Sequence, residues 1–125
     1  MKKTNEKTLL TLSLFLIILI SSTSIAQVRV QTGIWNADRT ISNYMLAAGG
    51  ENERSVNISV SFQKPFNTKP EVILSVTRYD GDANIGTRYE VKLVSVHKAG
   101  FTMEAKTWGG TKINLIGGTW MAIGE

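Results

Sequence analysis

Between Ser55 and Phe62 the chain alternates without interruption, with Val56, Ile58, Val60 and Phe62 on one side and Ser55, Asn57, Ser59 and Ser61 on the other. A period of two predicts a strand with one buried and one solvated face. The stretch Thr87 to Gly110, TRYEVKLVSVHKAGFTMEAKTWGG, holds two more such runs around Lys98-Ala99-Gly100. A three-residue hairpin loop wants glycine at its last, left-handed position, where Gly100 stands. That loop predicts His97 opposite Phe101, Leu93 opposite Ala105, Val91 opposite Thr107 and Glu90 opposite Trp108. One hairpin face is then Tyr89, Val91, Leu93, Phe101, Met103 and Ala105, fit for a core. The other carries Arg88, Glu90, Lys92, Glu104, Lys106 and Trp108, with Arg88 diagonal to Trp108 at the open end.

Taken in order, Val28 to Ile34 predicts a first strand and Trp35 to Arg54 a long surface loop containing Gly49-Gly50. Loops of that length in a small domain tend to be functional. Pro65 and Pro70 bracket a connection that neither a helix nor a central strand tolerates. Glu71 to Tyr79 is nearly continuous in hydrophobicity, which predicts a central strand. Asp80 to Gly86 is rich in turn residues. Thr111 to Ile116 alternates, Gly117-Gly118 breaks the run, and Thr119 to Ile123 supplies a last strand with Trp120 as a buried aromatic. No segment keeps a helical period, and neither a repeat nor a second domain is visible. The expectation is all-β: six or seven short strands in an antiparallel β-sandwich.

The start of the chain reads differently. Lys2, Lys3 and Lys7 precede an apolar run from Leu9 to Ile20, and Ser24-Ile25-Ala26 is a small-x-small cleavage site. This is the pattern of a secretory signal peptide over residues 1–26, and the apolar run is shorter than the roughly 20 residues a membrane span requires. The mature domain is then 27–125, a secreted chain without a membrane span. Setting aside Lys2, Lys3, Lys7 and Glu6 lowers the formal net charge from +4 to +2, and no basic cluster suggests nucleic acid as a partner. An exported chain could use disulfides, but the sequence has no cysteine, so stability must come from the core and from association with copies of itself.

Catalytic readings find little support. His97 is the single histidine and sits at the mouth of the hairpin turn, so neither a zinc site nor a Cys-His or Ser-His pair is well supplied. Glu90, Glu104, Asp80 and Asp82 show no spacing that selects a hydrolytic pair. Trp108 is more informative, because its strand places an indole among charged residues. An indole can cover the hairpin edge or a subunit contact. It can also form a platform for the apolar face of a pyranose, with the Arg88 fork donating to hydroxyls and Glu51 accepting from them. Asn57-Ile58-Ser59 is a glycosylation sequon on a strand surface.

The segments RVQTG (Arg29 to Gly33), KPEVILSVT (Lys69 to Thr77), TRYEVKLVSV (Thr87 to Val96), GFTMEAKTW (Gly100 to Trp108) and TWMAI (Thr119 to Ile123) resemble the H-type lectin domain. That family includes snail agglutinins that bind N-acetylgalactosamine and the C-terminal domain of discoidins. The resemblance implies a six-stranded antiparallel sandwich, a homotrimer, and a galactose-type sugar held between neighbouring subunits without metal or cofactor. It places the sugar-binding roles on Arg88, Trp108 and Gly109 of one subunit and on Gly49 and Glu51 of the next. Glu51 stands where the snail proteins carry aspartate, and Gly109 where they carry histidine. The expected function is a secreted lectin for glycans of the galactose/N-acetylgalactosamine type. The alternative is a structural or cell-adhesion module of the same trimeric fold that binds no sugar.

Overall fold

A computed structural model describes residues 25–125 of the chain. The expected leader lies outside the described residues, apart from its last two. Six antiparallel strands follow: β1 (Arg29–Asp38), β2 (Arg54–Ser61), β3 (Glu71–Gly81), β4 (Tyr89–His97), β5 (Gly100–Thr107) and β6 (Ile113–Gly124). They form two three-stranded sheets, ordered β1-β6-β3 and β2-β5-β4, which pack face to face as a sandwich.

The core between the sheets follows the alternation. Val56 and Phe62 of the β2 segment, Phe101, Met103 and Ala105 of β5, and Ile113, Ile116, Trp120 and Ala122 of β6 are buried. At one end Phe62 lies 5.1 Å from Phe66 and 5.8 Å from Trp120, and Phe101 meets Trp120 edge-on at 5.6 Å. Such offset aromatic contacts add to the stabilisation that area burial supplies. The opposite end is closed by three loops, at 39–53, 82–88 and 108–112. There Tyr79 and Tyr89 stack across the gap between the β3 and β4 edges, with centroids 5.8 Å apart.

Four local expectations need correction. First, β1 runs on to Asp38, so Trp35 and Ala37 belong to the core rather than to a loop. The inward parity of β1 includes Arg29 and Gln31, which bond the carbonyls of Pro65 at 2.8 Å and Lys64 at 2.6 Å. Its apolar Val30 and Ile34 point outwards, which disguises the strand.

Second, β3 is an edge strand, and β5 and β6 are central. Val72, Leu74 and Val76 turn inwards while Ile73 is 57% exposed. The near-continuous hydrophobicity of β3 thus comes from its inward Val72, Leu74 and Val76 together with one outward apolar residue, Ile73.

Third, β6 passes through Gly117-Gly118 without a break. A Cβ at Gly118 would collide with the Ser75 carbonyl, and one at Gly117 would lie 2.9 Å from the Trp35 carbonyl oxygen. The glycines let β1 and β3 close on the central strand, opposite a bulge between Val76 and Arg78.

Fourth, the hairpin loop has two residues, Lys98-Ala99, and His97 pairs with Gly100. Gly100 is not left-handed; a Cβ there would run into the Val60 carbonyl of β2. A bulge between Leu93 and Ser95 then restores Leu93 opposite Met103 and Val91 opposite Ala105. The predicted pairing is off by one residue between the turn and the bulge and by two beyond it, an even slip there, so the predicted faces over Arg88 to Leu93 are preserved.

Candidate functional site

The last pair of the β4–β5 ladder is Tyr89 with Thr107. Arg88 and Trp108 come immediately beyond that pair, and continuing its register sets them level rather than diagonal. The chain after Trp108 reverses at once. Gly109 and Gly110 have φ of 62° and 78°, and the Thr111 amide donates to the Trp108 carbonyl at 3.3 Å. Two consecutive positive φ values are what a primed type I turn demands, and glycine adopts them without a Cβ penalty.

Two buried threonines fix this rim. Thr107 Oγ1 donates to the Arg88 carbonyl at 2.6 Å. Thr111 Oγ1 donates to the Gly86 carbonyl at 2.5 Å and accepts from the Arg88 amide at 3.2 Å. Both backbone groups of Arg88 are therefore held by side chains inaccessible to water. The Arg88 side chain, exposed, lies over Gly109: Nη1 donates to the Gly109 carbonyl at 3.2 Å, and a Cβ at Gly109 would sit 3.1 Å from Arg88 Cδ. The positive φ and this contact together disfavour a side chain at residue 109.

Trp108 is half-buried, so its indole remains partly open to solvent. The Lys106 ammonium stands 5.9 Å from the ring centroid and also pairs with Glu53 at 3.3 Å. Further along the same face Lys92 pairs with Glu104 at 3.1 Å and Glu90 at 3.4 Å. The hydrogen bond to Glu104 pushes Lys92 up, and the reciprocal bond from Lys92 holds the Glu104 carboxyl below the usual range. The charges beside the indole are thus alternating rather than a single-sign field.

Gly49 and Glu51 come to the same rim. The Gly109 amide donates to the Glu51 carbonyl at 3.3 Å, and the Gly110 amide to the Gly50 carbonyl at 3.1 Å. The Glu51 carboxylate lies over Gly110, with Oε1 3.6 Å from where a Cβ would be. Among the described residues none hydrogen-bonds or ion-pairs with that carboxylate, and Glu51 is exposed. Gly49 is crossed by the Lys112 side chain, whose Cε would be 3.1 Å from a Cβ there. Arg88, Trp108, Gly109, Gly49 and Glu51 therefore gather at one end of a single chain.

Sequence reasoning passed over three residues at this rim. Lys112 borders Gly49, and Thr111 pins Arg88. Arg54 lies 9% exposed beneath the 49–53 loop, bonded to the carbonyls of Gly50, Asn52 and Thr111. Only Arg54 left a readable signal, because it shares the inward parity of Val56, Ile58 and Val60. The adjoining loop is anchored by Tyr44, which donates to the Ile113 carbonyl at 2.9 Å. Its burial raises the phenol to about 12.

The fold is that of a six-stranded antiparallel β-sandwich domain. The model of the H-type lectin domain matches residues 57–123, more than half of the chain, and the chain belongs to that family. A curated relative, "ATP synthase subunits region ORF 7" of Fuscovulum blasticum, is 31% identical over 76 residues, covering 61% of this chain and 66% of that protein. Among solved structures, the native recombinant discoidin II of Dictyostelium discoideum superposes with a TM-score of 0.67 at 23% identity. That match covers 82% of this chain and 39% of the discoidin. The wild-type discoidin II from the same organism gives 0.66 at 23% identity, over 83% and 39% of the two chains. The chain thus spans less than two thirds of the length of these relatives. Among the described residues no helix is long and apolar enough to cross a membrane.

Proposed function

We propose that this chain is a secreted lectin that binds galactose/N-acetylgalactosamine-type sugars at its loop end, without catalysing a reaction. The observation that carries this reading is the part-open indole of Trp108 at the end of β5, beside the end of β4 where Arg88 has its backbone held on both sides by buried threonines. A pyranose stacks its C–H face on the indole while the guanidinium donates to ring hydroxyls. Gly109 leaves room beside Arg88, and Gly49 lets the backbone approach closely. Glu51, with its carboxylate free of partners, accepts from the remaining hydroxyls of a sugar bound at a neighbouring copy.

The homotrimer that such sharing needs has support on the opposite sheet. Along the outer face of β1-β6-β3, Thr32, Met121 and Ile73 lie side by side, flanked by the rows Val30–Ile123–Glu71 and Ile34–Thr119–Ser75. Val30, Ile34, Ile73 and Met121 are 56%, 70%, 57% and 40% exposed. Four exposed apolar side chains gathered on one sheet face are the kind of surface that marks a contact between proteins. The single pocket binds weakly, and several pockets on one trimer raise avidity on dense glycans by roughly 10²-fold or more.

A glycan array with the mature protein tests the reading, with light scattering to size it. Selective retention of terminal galactose-type sugars, lost in Trp108→Ala and Arg88→Ala variants of unchanged size, is expected. The same apolar face also favours a second reading, an adhesion module that assembles through it and binds no sugar. A folded oligomer silent on every glycan would establish that alternative.

A further inference from the structure

Arg54 stands at the first position of β2, on the face that the strand turns towards the core. An apolar residue would satisfy that place. Among the described residues no carboxylate lies within ion-pairing distance of its guanidinium, so the buried charge is compensated only by carbonyl dipoles. Its Nη1 donates to the Gly50 carbonyl at 2.5 Å and the Asn52 carbonyl at 3.0 Å; its Nη2 donates to the Thr111 carbonyl at 2.5 Å. The Nε is buried without a partner. Breaches of the usual rule on buried charge concentrate where a site has to be held in shape.

The targets of those bonds identify what is held. Gly50 and Asn52 are the immediate neighbours of Glu51 in the chain. Thr111 closes the turn that begins at Trp108, and its hydroxyl also binds the Arg88 amide and the Gly86 carbonyl. One planar fork therefore spans two loops distant in sequence. It carries the carboxylate segment on one nitrogen and the indole–arginine segment on the other. The amides of Gly109 and Gly110 close the same junction from above by donating to Glu51 and Gly50. A lysine in this place gathers its three donors on one nitrogen and lacks the span from Nη1 to Nη2 with which the fork meets carbonyls on two sides.

We infer that Arg54 is the positioning residue of the site: it holds both recognition elements of its chain, the Trp108–Arg88 pair of its own pocket and the Glu51 that serves a neighbouring copy's, without touching the sugar. The inference rests on the lectin reading for its ligand, but its structural part can be measured with no ligand at all. Arg54→Lys and Arg54→Met keep comparable volume, and Arg54→Ala opens space for a guanidinium ion. Amide exchange in the unliganded variants should show Gly109 and Gly110 losing protection by about tenfold or more while amides in the centre of β6 stay protected. Binding of free N-acetylgalactosamine or galactose should weaken by about tenfold or more in Arg54→Lys, beyond any change in thermal midpoint. Guanidinium chloride at low millimolar concentration should return part of the sugar affinity to Arg54→Ala and none to Trp108→Ala.

Unaltered exchange at Gly109 and Gly110 in a folded Arg54→Lys variant would overturn the proposal. So would weakened sugar binding that guanidinium fails to rescue. If Arg54→Met does not fold, Arg54→Lys and the rescue of Arg54→Ala decide the matter. If the unsubstituted protein binds no sugar, the lectin reading falls, and the exchange measurement alone still judges whether Arg54 clamps the two loops.

Discussion

Gly109 and Gly110 provide a matched pair of perturbations. Both have positive φ, so alanine at either position adopts a left-handed backbone that costs roughly 1–2 kcal/mol. For a domain of about 100 residues each kcal/mol lowers the melting midpoint by roughly 4–8 °C, so the two variants should lose comparable stability. Their surroundings differ. A Cβ at Gly109 approaches Arg88 Cδ, Nη1 and Nε to 3.1, 3.3 and 3.4 Å, so the arginine has to move. A Cβ at Gly110 meets Glu51 Oε1 at 3.6 Å, an ordinary contact. If Arg88 donates to the sugar, displacing it removes a charge-assisted hydrogen bond of about 1.5–3 kcal/mol, or roughly 10- to 100-fold in affinity. Urea denaturation at fixed protein concentration gives the first quantity, and calorimetric titration with galactose and N-acetylgalactosamine gives the second. Gly109→Ala should be weaker in both; Gly110→Ala should be less stable yet bind within about threefold of the unsubstituted protein. Equal affinity for the two variants would refute the role given to Arg88 above Gly109.

Three other outcomes are expected. Thr111→Val keeps the side-chain shape but strands the Arg88 amide and the Gly86 carbonyl, so it should cost about 2–3 kcal/mol in urea denaturation and weaken sugar binding as well. Tyr44 ionises at about 12 rather than 10, so the stability its neutral form contributes is complete below pH 10 and fades as pH rises towards 12. After discounting for partial exposure, the unsubstituted protein should lose about 1 kcal/mol more than Tyr44→Phe across that interval; parallel pH curves would contradict the assignment. Co-assembling inactive Arg88→Ala and Glu51→Ala chains should restore roughly a quarter of the pockets in a randomly mixed trimer, each built from two intact surfaces. Absence of any recovery on a galactose matrix would place the whole pocket within one chain.

The alternation of Val56, Ile58, Val60 and Phe62 and the two faces of the 87–110 hairpin were legible because period-two patterning survives errors in turn length. The hairpin shows this directly, since a loop shorter than expected and a bulge left every face assignment intact. Legibility failed where a local rule was outweighed by a neighbour. Gly117-Gly118 looks like a break, yet the closeness of Ser75 and Trp35 demands glycine inside a continuous strand. Trp35 looked like loop because Asn36 and Asp38 surround it, although they merely occupy outward or rim positions of β1. At the rim, Arg88 and Trp108 could be proposed from their strand positions, whereas Thr111 and Lys112 act through contacts that only the folded loops create. Arg54 was hidden by its chemistry: a charged residue at a strand start suggests surface, and only its parity says otherwise.

The turn at 109–110 also limits how ligand preference can be retuned. A side chain introduced there strains the backbone and, at 109, displaces the guanidinium, so selectivity would not be freely adjustable at the floor of the proposed pocket. Variation is better tolerated on its margins, at Asn52, Glu53 and Lys112, where the backbone is ordinary and side chains reach solvent. A library built on those three positions should yield altered sugar preference with little loss of fold, making the flanks the practical handle for engineering recognition.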